Sequence, residues 1–213
     1  MRPIARFLDF FFHHLYHGLA FAYDAVAAVV SFGHWIEWTK TVIPYIEGTR
    51  LLELGHGPGH LQRIFLERGL FAVGLDESSQ MSRLARRRIL QSGYAQNLAR
   101  GIGQHLPFAA ESFDSLIATF PAPYVTEAQT LSEARRVLRN GGRLIVLPAA
   151  WPKSGFLRWL YKVTGESPAG VHEIIKEKWK QIFVHAGFEC KVEIVEVKSG
   201  MVLVVLAQKT AEE

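Results

Sequence analysis

Cysteine is nearly absent: Cys190 is the only one in 213 residues. A disulfide framework within the chain is therefore excluded, which fits a reducing compartment. A lone thiol of this kind reads as a small buried apolar side chain. No zinc or RNA-binding motif and no arginine-rich tract stands out, and there are no repeats or low-complexity segments. Charge imbalance is small. Lys plus Arg is 24 against 20 for Asp plus Glu, giving +4 and a pI near 9.3. That balance is weak evidence for an anionic partner. Long uncharged runs are missing too. The run between Asp9 and Asp24 falls short of the roughly 18 residues a spanning helix needs. Arg2, Arg6 and Ala20-Phe21-Ala22 imitate a signal peptide, but Asp9, His13, His14 and His17 dilute its apolar part.

What is present is globular. Hydrophobic residues make up 49% and charged residues 21%, and the length suits one α/β domain with a sizeable core. Residues 4–46 are helical in pattern, aromatic and largely apolar, punctuated by Gly33 and Pro44. They are expected to form an N-terminal helical cap (residues 1–46) on a domain spanning residues 47–213. From Gly48 onward short apolar runs alternate with amphipathic stretches. Strands are expected at 50–54, 71–75, 97–101, 114–119 and 143–147. Helices are expected at 59–68, 78–90 and 127–138, the second capped by Ser78 and the last stopped by Asn140-Gly141-Gly142. Such alternation implies parallel strands with right-handed crossovers. Residues 188–197 and 201–208 flank Lys198-Ser199-Gly200, a loop so short that the two strands must be antiparallel. Residues 149–171 read as an irregular, aromatic lid leading to a helix near 172–186.

The strongest motif is Glu53-Leu54-Gly55-His56-Gly57-Pro58-Gly59. A buried strand enters a glycine-rich turn that opens a helix. Glycine lets a ligand approach the backbone, and the helix start offers N–H groups to an anion. Glu53 can accept hydrogen bonds from a ligand amine. About 20 residues later, the strand Ala72-Val73-Gly74-Leu75 ends in Asp76, placed to bind both hydroxyls of a ribose. A nicotinamide-binding domain would share these two elements. Its G-x-G-x-x-G fingerprint is not met, however, because position 60 is His. The terminal hairpin is also foreign to it.

In order along the chain, four segments together resemble the class I S-adenosylmethionine-dependent methyltransferases. They are the glycine turn, Gly74-Leu75-Asp76, Leu106-Pro107-Phe108 with Ser112-Phe113-Asp114, and the run from Glu133 to Leu144. The resemblance covers residues 47–148 well and implies a Rossmann-like, mostly parallel seven-stranded sheet closed by the hairpin. It also implies S-adenosylmethionine as cofactor, held by Glu53, Gly55, Gly57, Gly59 and Asp76, with Phe120 beside it. The family's usual acid ahead of "LPF" is replaced by Ile102, so adenine would be held by backbone there or by Gln104. Tyr23-Asp24, Ser31, Gly33 and Trp38 are similar to the segment preceding the domain in ubiquinone/menaquinone and phosphatidylethanolamine methyltransferases. By that likeness Tyr23 covers the methionyl end.

Methyl transfer needs positioning above all, and a base only for a protonated nucleophile. Candidate bases are His34, His172 and Tyr124; His56 reads as a structural turn residue. Aromatic rings beside Lys and Arg in 1–38 and 151–162 suit a membrane interface. They point to a lipid-like acceptor, with a soluble acceptor or a non-catalytic scaffold as alternatives. The expected location is cytoplasmic, with peripheral membrane contact. No metal is expected. Nor is nucleic acid, because Thr119-Phe120-Pro121-Ala122-Pro123-Tyr124 lacks the polar residue and paired prolines of base-modifying relatives.

Overall fold

The computed structural model describes residue 31, residues 33–153 and residues 168–210, with backbone alone for 168–171. Seven strands form one sheet in the order β3-β2-β1-β4-β5-β7-β6. The strands are β1 (Arg50–Leu54), β2 (Phe71–Asp76), β3 (Leu98–Arg100), β4 (Phe113–Thr119), β5 (Leu138–Pro152), β6 (Phe188–Val197) and β7 (Gly200–Lys209). The helices are α1 (Trp35–Thr39), α2 (His60–Glu67), α3 (Ser79–Gln91), α4 (Ala128–Val137) and α5 (Pro168–His185), with 3-10 turns at Lys40–Tyr45 and Pro123–Thr126. β1 pairs in parallel with β2 and β4, and β4 with β5. The β6–β7 hairpin is antiparallel, and β7 lies antiparallel against β5. The Rossmann-like class expected from the sequence is the one observed.

Alternation along the central strands feeds two cores, because successive side chains leave opposite faces. Leu52, Leu116 and Leu144 face Leu131, Ala134 and Val137 of α4 and Phe183 of α5. Their neighbours Leu51, Ile117 and Ile145 face Trp38, Val42, Leu61 and Phe65. Cys190 is buried in the first core, as expected of a free thiol. Ser78 caps α3 by accepting from the Met81 amide at 3.3 Å.

Three boundaries differ from expectation. α4 ends at Val137, and Leu138 already pairs with Phe113. The fifth strand runs on to Pro152, so residues 149–152 are not irregular. They are held because β7 pairs Ala149 with Leu203, Ala150 with Val202 and Trp151 with Met201. α5 starts at Pro168, ahead of residue 172. The expected lid and the bulk of the expected helical cap fall on 154–167 and 1–30, outside the described residues.

Two of the motif segments turn out to tie the scaffold together. Asp114 Oδ2 accepts the backbone N–H groups of Thr49 and Arg50 at 3.0 and 2.9 Å. Its Oδ1 accepts from Arg50 Nη2 and Arg139 Nε at 3.0 and 2.7 Å. Burial pushes this carboxyl up, but the bonds from Arg50, Thr49 and Arg139 hold it well below the usual range. Glu133 accepts from the Leu106 amide at 2.8 Å, while Arg136 donates to the Leu106 and Phe108 carbonyls at 2.9 and 2.8 Å. The Arg136 bonds lead in lowering Glu133 to about 2. This pair fastens the Leu106–Phe108 segment to α4.

Candidate functional site

The strand order reverses between β1 and β4. Open α/β sheets bind ligands at the carboxyl ends of strands flanking such a reversal. Here those ends carry the glycine turn, Asp76, and the Phe120–Tyr124 segment.

The turn leaves β1 with Gly55 donating to the Leu75 carbonyl at 2.8 Å. Gly57 has a φ of 52°, and a Cβ there would meet nothing within 4 Å, so the side-chain side of its Cα faces open space. Gly59, the N-cap of α2, has a φ of 80°. A Cβ there would lie 2.7 Å from the Ala85 Cβ. The third glycine thus serves close packing of the turn on α3, while the second leaves room for a ligand.

Asp76 organises the turn from the end of β2. Its Oδ2 accepts from the Gly57 amide at 2.9 Å and its Oδ1 from the Ser78 amide at 2.8 Å. Each carboxylate oxygen keeps a second lone pair. Glu53 is expected to reach into the cleft, but it is 2% exposed. It accepts from Gln62 Nε2 at 2.9 Å. Burial raises its carboxyl to about 8, against the lowering effect of Gln62 and reinforced by the charge of Asp76. No cation faces this buried acid among the described residues, so a ligand ammonium fits the place. Sequence reasoning misses Gln62. The available signal is an amide among Leu61, Ile64 and Phe65 on the buried side of α2.

His56 is buried with Nδ1 2.7 Å from the Gly57 carbonyl. Burial lowers its affinity for a proton. A carbonyl only accepts, so the neutral ring carries its proton on Nδ1, and Nε2 is a buried acceptor without a partner. The ring packs on Gly74, where a Cβ would lie 2.9 Å from its Cδ2.

Tyr124 is the candidate base nearest the turn. Its hydroxyl would be 3.0 Å from a Cβ at Gly55, and its ring equally close to one at Gly103. His34 is instead 3.2 Å from Glu37 Oε2, and His172 lies 6.1 Å from the Trp151 ring. Neither has a contact with the glycine turn among the described residues. Ile102 is 40% exposed. Gln104 donates to Glu127 at 2.8 Å. Tyr23 lies outside the described residues. Phe120 has a φ of 48°, unusual for an aromatic residue. Its amide bonds the Leu147 carbonyl at 2.7 Å and its ring stacks on Trp35 at 4.1 Å. Strain of this kind concentrates at ligand-binding sites. It also seats α1 against the end of β4, a contact the sequence does not announce.

An apolar cavity of about 310 Å³ opens beside this segment, lined in part by Pro121, Pro123, Pro148, Trp179 and Ile182. Among the described residues no group of three or more His, Cys, Asp or Glu could hold a metal, and no helix is long and apolar enough to cross a membrane.

A methyltransferase domain family model matches residues 52–146. The ubiquinone/menaquinone biosynthesis C-methyltransferase of Wigglesworthia glossinidia brevipalpis is 29% identical over 160 residues, covering 70% of this chain and 63% of that protein. The demethylmenaquinone methyltransferase of Symbiobacterium thermophilum is 33% identical over 156 residues, covering 68% and 61%. The chain thus spans less than two thirds of the length of these relatives. A solved S-adenosylmethionine-dependent methyltransferase from Methanosarcina mazei superposes with a TM-score of 0.58 at 17% identity, covering 80% of this chain and 98% of that one. With the glycine turn, Asp76 and the sheet order in place, these similarities make the chain a member of the class I S-adenosylmethionine-dependent methyltransferase family.

Proposed function

We propose that the protein transfers the sulfonium methyl of S-adenosylmethionine to a small lipophilic acceptor of the quinone class. The observation that carries cofactor binding is the convergence of buried Glu53, the open space at the Gly57 Cα and the carboxylate of Asp76 at one strand reversal. In this reading Asp76 uses its remaining lone pairs for the ribose hydroxyls, and Glu53 receives the methionyl ammonium. Gly55, Gly57 and Gly59 shape the backbone around the carboxylate. Ile102 and Gln104 border the adenine, Phe120 walls the cleft and Tyr23 covers the methionyl end.

The cofactor supplies the electrophilic methyl; the chain positions the acceptor and excludes water. The cavity lined by Pro121, Pro148 and Trp179 suits a flat apolar ring. The relatives named for quinone methylation support that class. Tyr124, beside Gly55, is the residue best placed to take or orient an acceptor proton; His34 and His172 rank behind it. Membrane contact through residues 1–38 and 151–162, from a cytoplasmic location, belongs to the same proposal.

Calorimetric titration with S-adenosylhomocysteine, with NAD and NADP as controls, tests the reading. Saturable binding of the nucleoside alone is expected. Asp76→Ala should weaken it about 10- to 100-fold, the worth of hydrogen bonds to a charged group. Methyl incorporation into a quinol panel then tests the acceptor. An absence of S-adenosylhomocysteine binding would remove the enzyme reading.

A further inference from the structure

Helix α3 carries a face that the cofactor site does not use. Arg83, Arg86, Arg87 and Leu90 follow each other at helical spacing, so they share one side. All four are exposed and, with Gln91, line a shallow depression of about 340 Å³. The opposite side of α3 is buried through Met81, Ala85 and Ile89, which fixes the arginine side outward. The fourth arginine, Arg88, is committed elsewhere: it donates to the Pro58 carbonyl in the glycine turn.

The three outward guanidiniums form no ion pair or hydrogen bond among the described residues. α3 contains no Asp or Glu. Like charges three and four residues apart repel. The stripe therefore concentrates unpaired positive charge on one exposed face, which an anionic partner would complement. No arginine-rich tract stands out in the sequence, yet Arg83 and the run Arg86-Arg87-Arg88 already stand close together in the chain; burial of the Met81–Ala85–Ile89 side turns three of the four outward on one surface.

We propose that this face of α3 docks the protein on an anionic lipid surface, with the guanidiniums on headgroup phosphates and Leu90 seated between them. Leu90 is 52% exposed within the cationic stripe. A leucine is accommodated by a lipid interface and has no use on a nucleic-acid backbone. The choice of lipid also leans on the lipophilic acceptor proposed above, whereas the attraction to an anionic surface does not.

The test is co-sedimentation of the full chain with phosphatidylcholine vesicles, with and without phosphatidylglycerol. Binding is expected only with phosphatidylglycerol, and it should weaken as salt is raised. The combined Arg83→Gln, Arg86→Gln and Arg87→Gln variant should lose about 10- to 100-fold in vesicle partitioning. Its melting temperature and S-adenosylhomocysteine affinity should stay at wild-type values. Leu90→Asn should lose severalfold. Wild-type partitioning by the triple variant would overturn the proposal. So would arginine-dependent binding to a DNA duplex without binding to vesicles. Because S-adenosylhomocysteine binding is read separately, failure of the lipid face is distinguishable from failure of the methyltransferase reading.

Discussion

Replacing Glu53 by Gln should flatten the pH dependence of both stability and cofactor affinity. In the folded chain the Glu53 carboxyl is raised from 4.5 to about 8. Its folded value exceeds its unfolded one, so its contribution to stability is fully present below about pH 4.5 and is lost as pH rises toward 8. At about 1.4 kcal/mol per unit, the whole span corresponds to about 5 kcal/mol, of which about 3 kcal/mol disappears between about pH 5 and pH 8. For a domain of this size that lowers Tm by roughly 6–12 °C across the interval. The Glu53→Gln variant keeps the neutral shape and an acceptor for Gln62 but has no proton to lose, so its Tm should change less by that amount. Ligand binding should run the other way. An ammonium beside Glu53 favours the ionised form, so S-adenosylhomocysteine should bind more tightly as pH rises toward 8 and should release a proton near neutrality. Calorimetry in buffers of different ionisation enthalpy reads that proton directly, with Glu53→Gln correcting for titration of the ligand's own amine. Equal proton release by the variant and the wild type would refute the role of Glu53, as would parallel Tm–pH curves.

Gly59→Ala should cost about 3 kcal/mol in urea unfolding, since it joins left-handed strain at φ 80° to a 2.7 Å approach to Ala85. Adding Ala85→Gly should recover only a fraction of the steric part, because the Ala85 Cα would still lie 2.8 Å from the added Cβ. Asp114→Asn should lower stability by about 3 kcal/mol at neutral pH by weakening the bonds to Thr49, Arg50 and Arg139. Because the folded carboxyl is depressed, this stability is present above the unfolded value and lost as pH falls through the folded one. The variant's acid unfolding limb should therefore be shallower, which circular dichroism would record.

Local signals are the legible ones. Apolar runs bounded by Gly and Asp locate β1, β2 and β4, and the Ser78 cap locates α3. The short link Lys198-Ser199 dictates the hairpin. What escapes depends on partners distant in the chain. Pro148 and Pro152 look like strand breakers until β7 is seen to hold residues 149–152. The family motifs around Asp114 and Glu133 mark a cofactor fold in the sequence. Their side chains instead fasten strand starts and the Leu106–Phe108 segment. The sequence makes Glu53 reachable from the cleft, and only the geometry of Gln62 shows that it is enclosed. The stacking of Phe120 on Trp35 has no sequence signature, since neither residue belongs to a periodic pattern shared with the other.

The bond from Trp38 to Ser199 joins residues 161 apart, at 2.9 Å. It sets a schedule for the nascent chain. While the ribosome is still making β6, the outer side of β5 has no neighbour and the Trp38 indole N–H lacks its Ser199 acceptor, although the glycine turn and Asp76 are already synthesised. The Trp38 anchor of α1 is completed only when the link carrying Ser199 is in place and β7 pairs with both β5 and β6. Long-range closure of this kind is slow and leaves an open strand edge in the meantime. During synthesis, then, β5 is the element that most needs protection from aggregation, and the ligand pocket is among the last parts of the molecule to be finished.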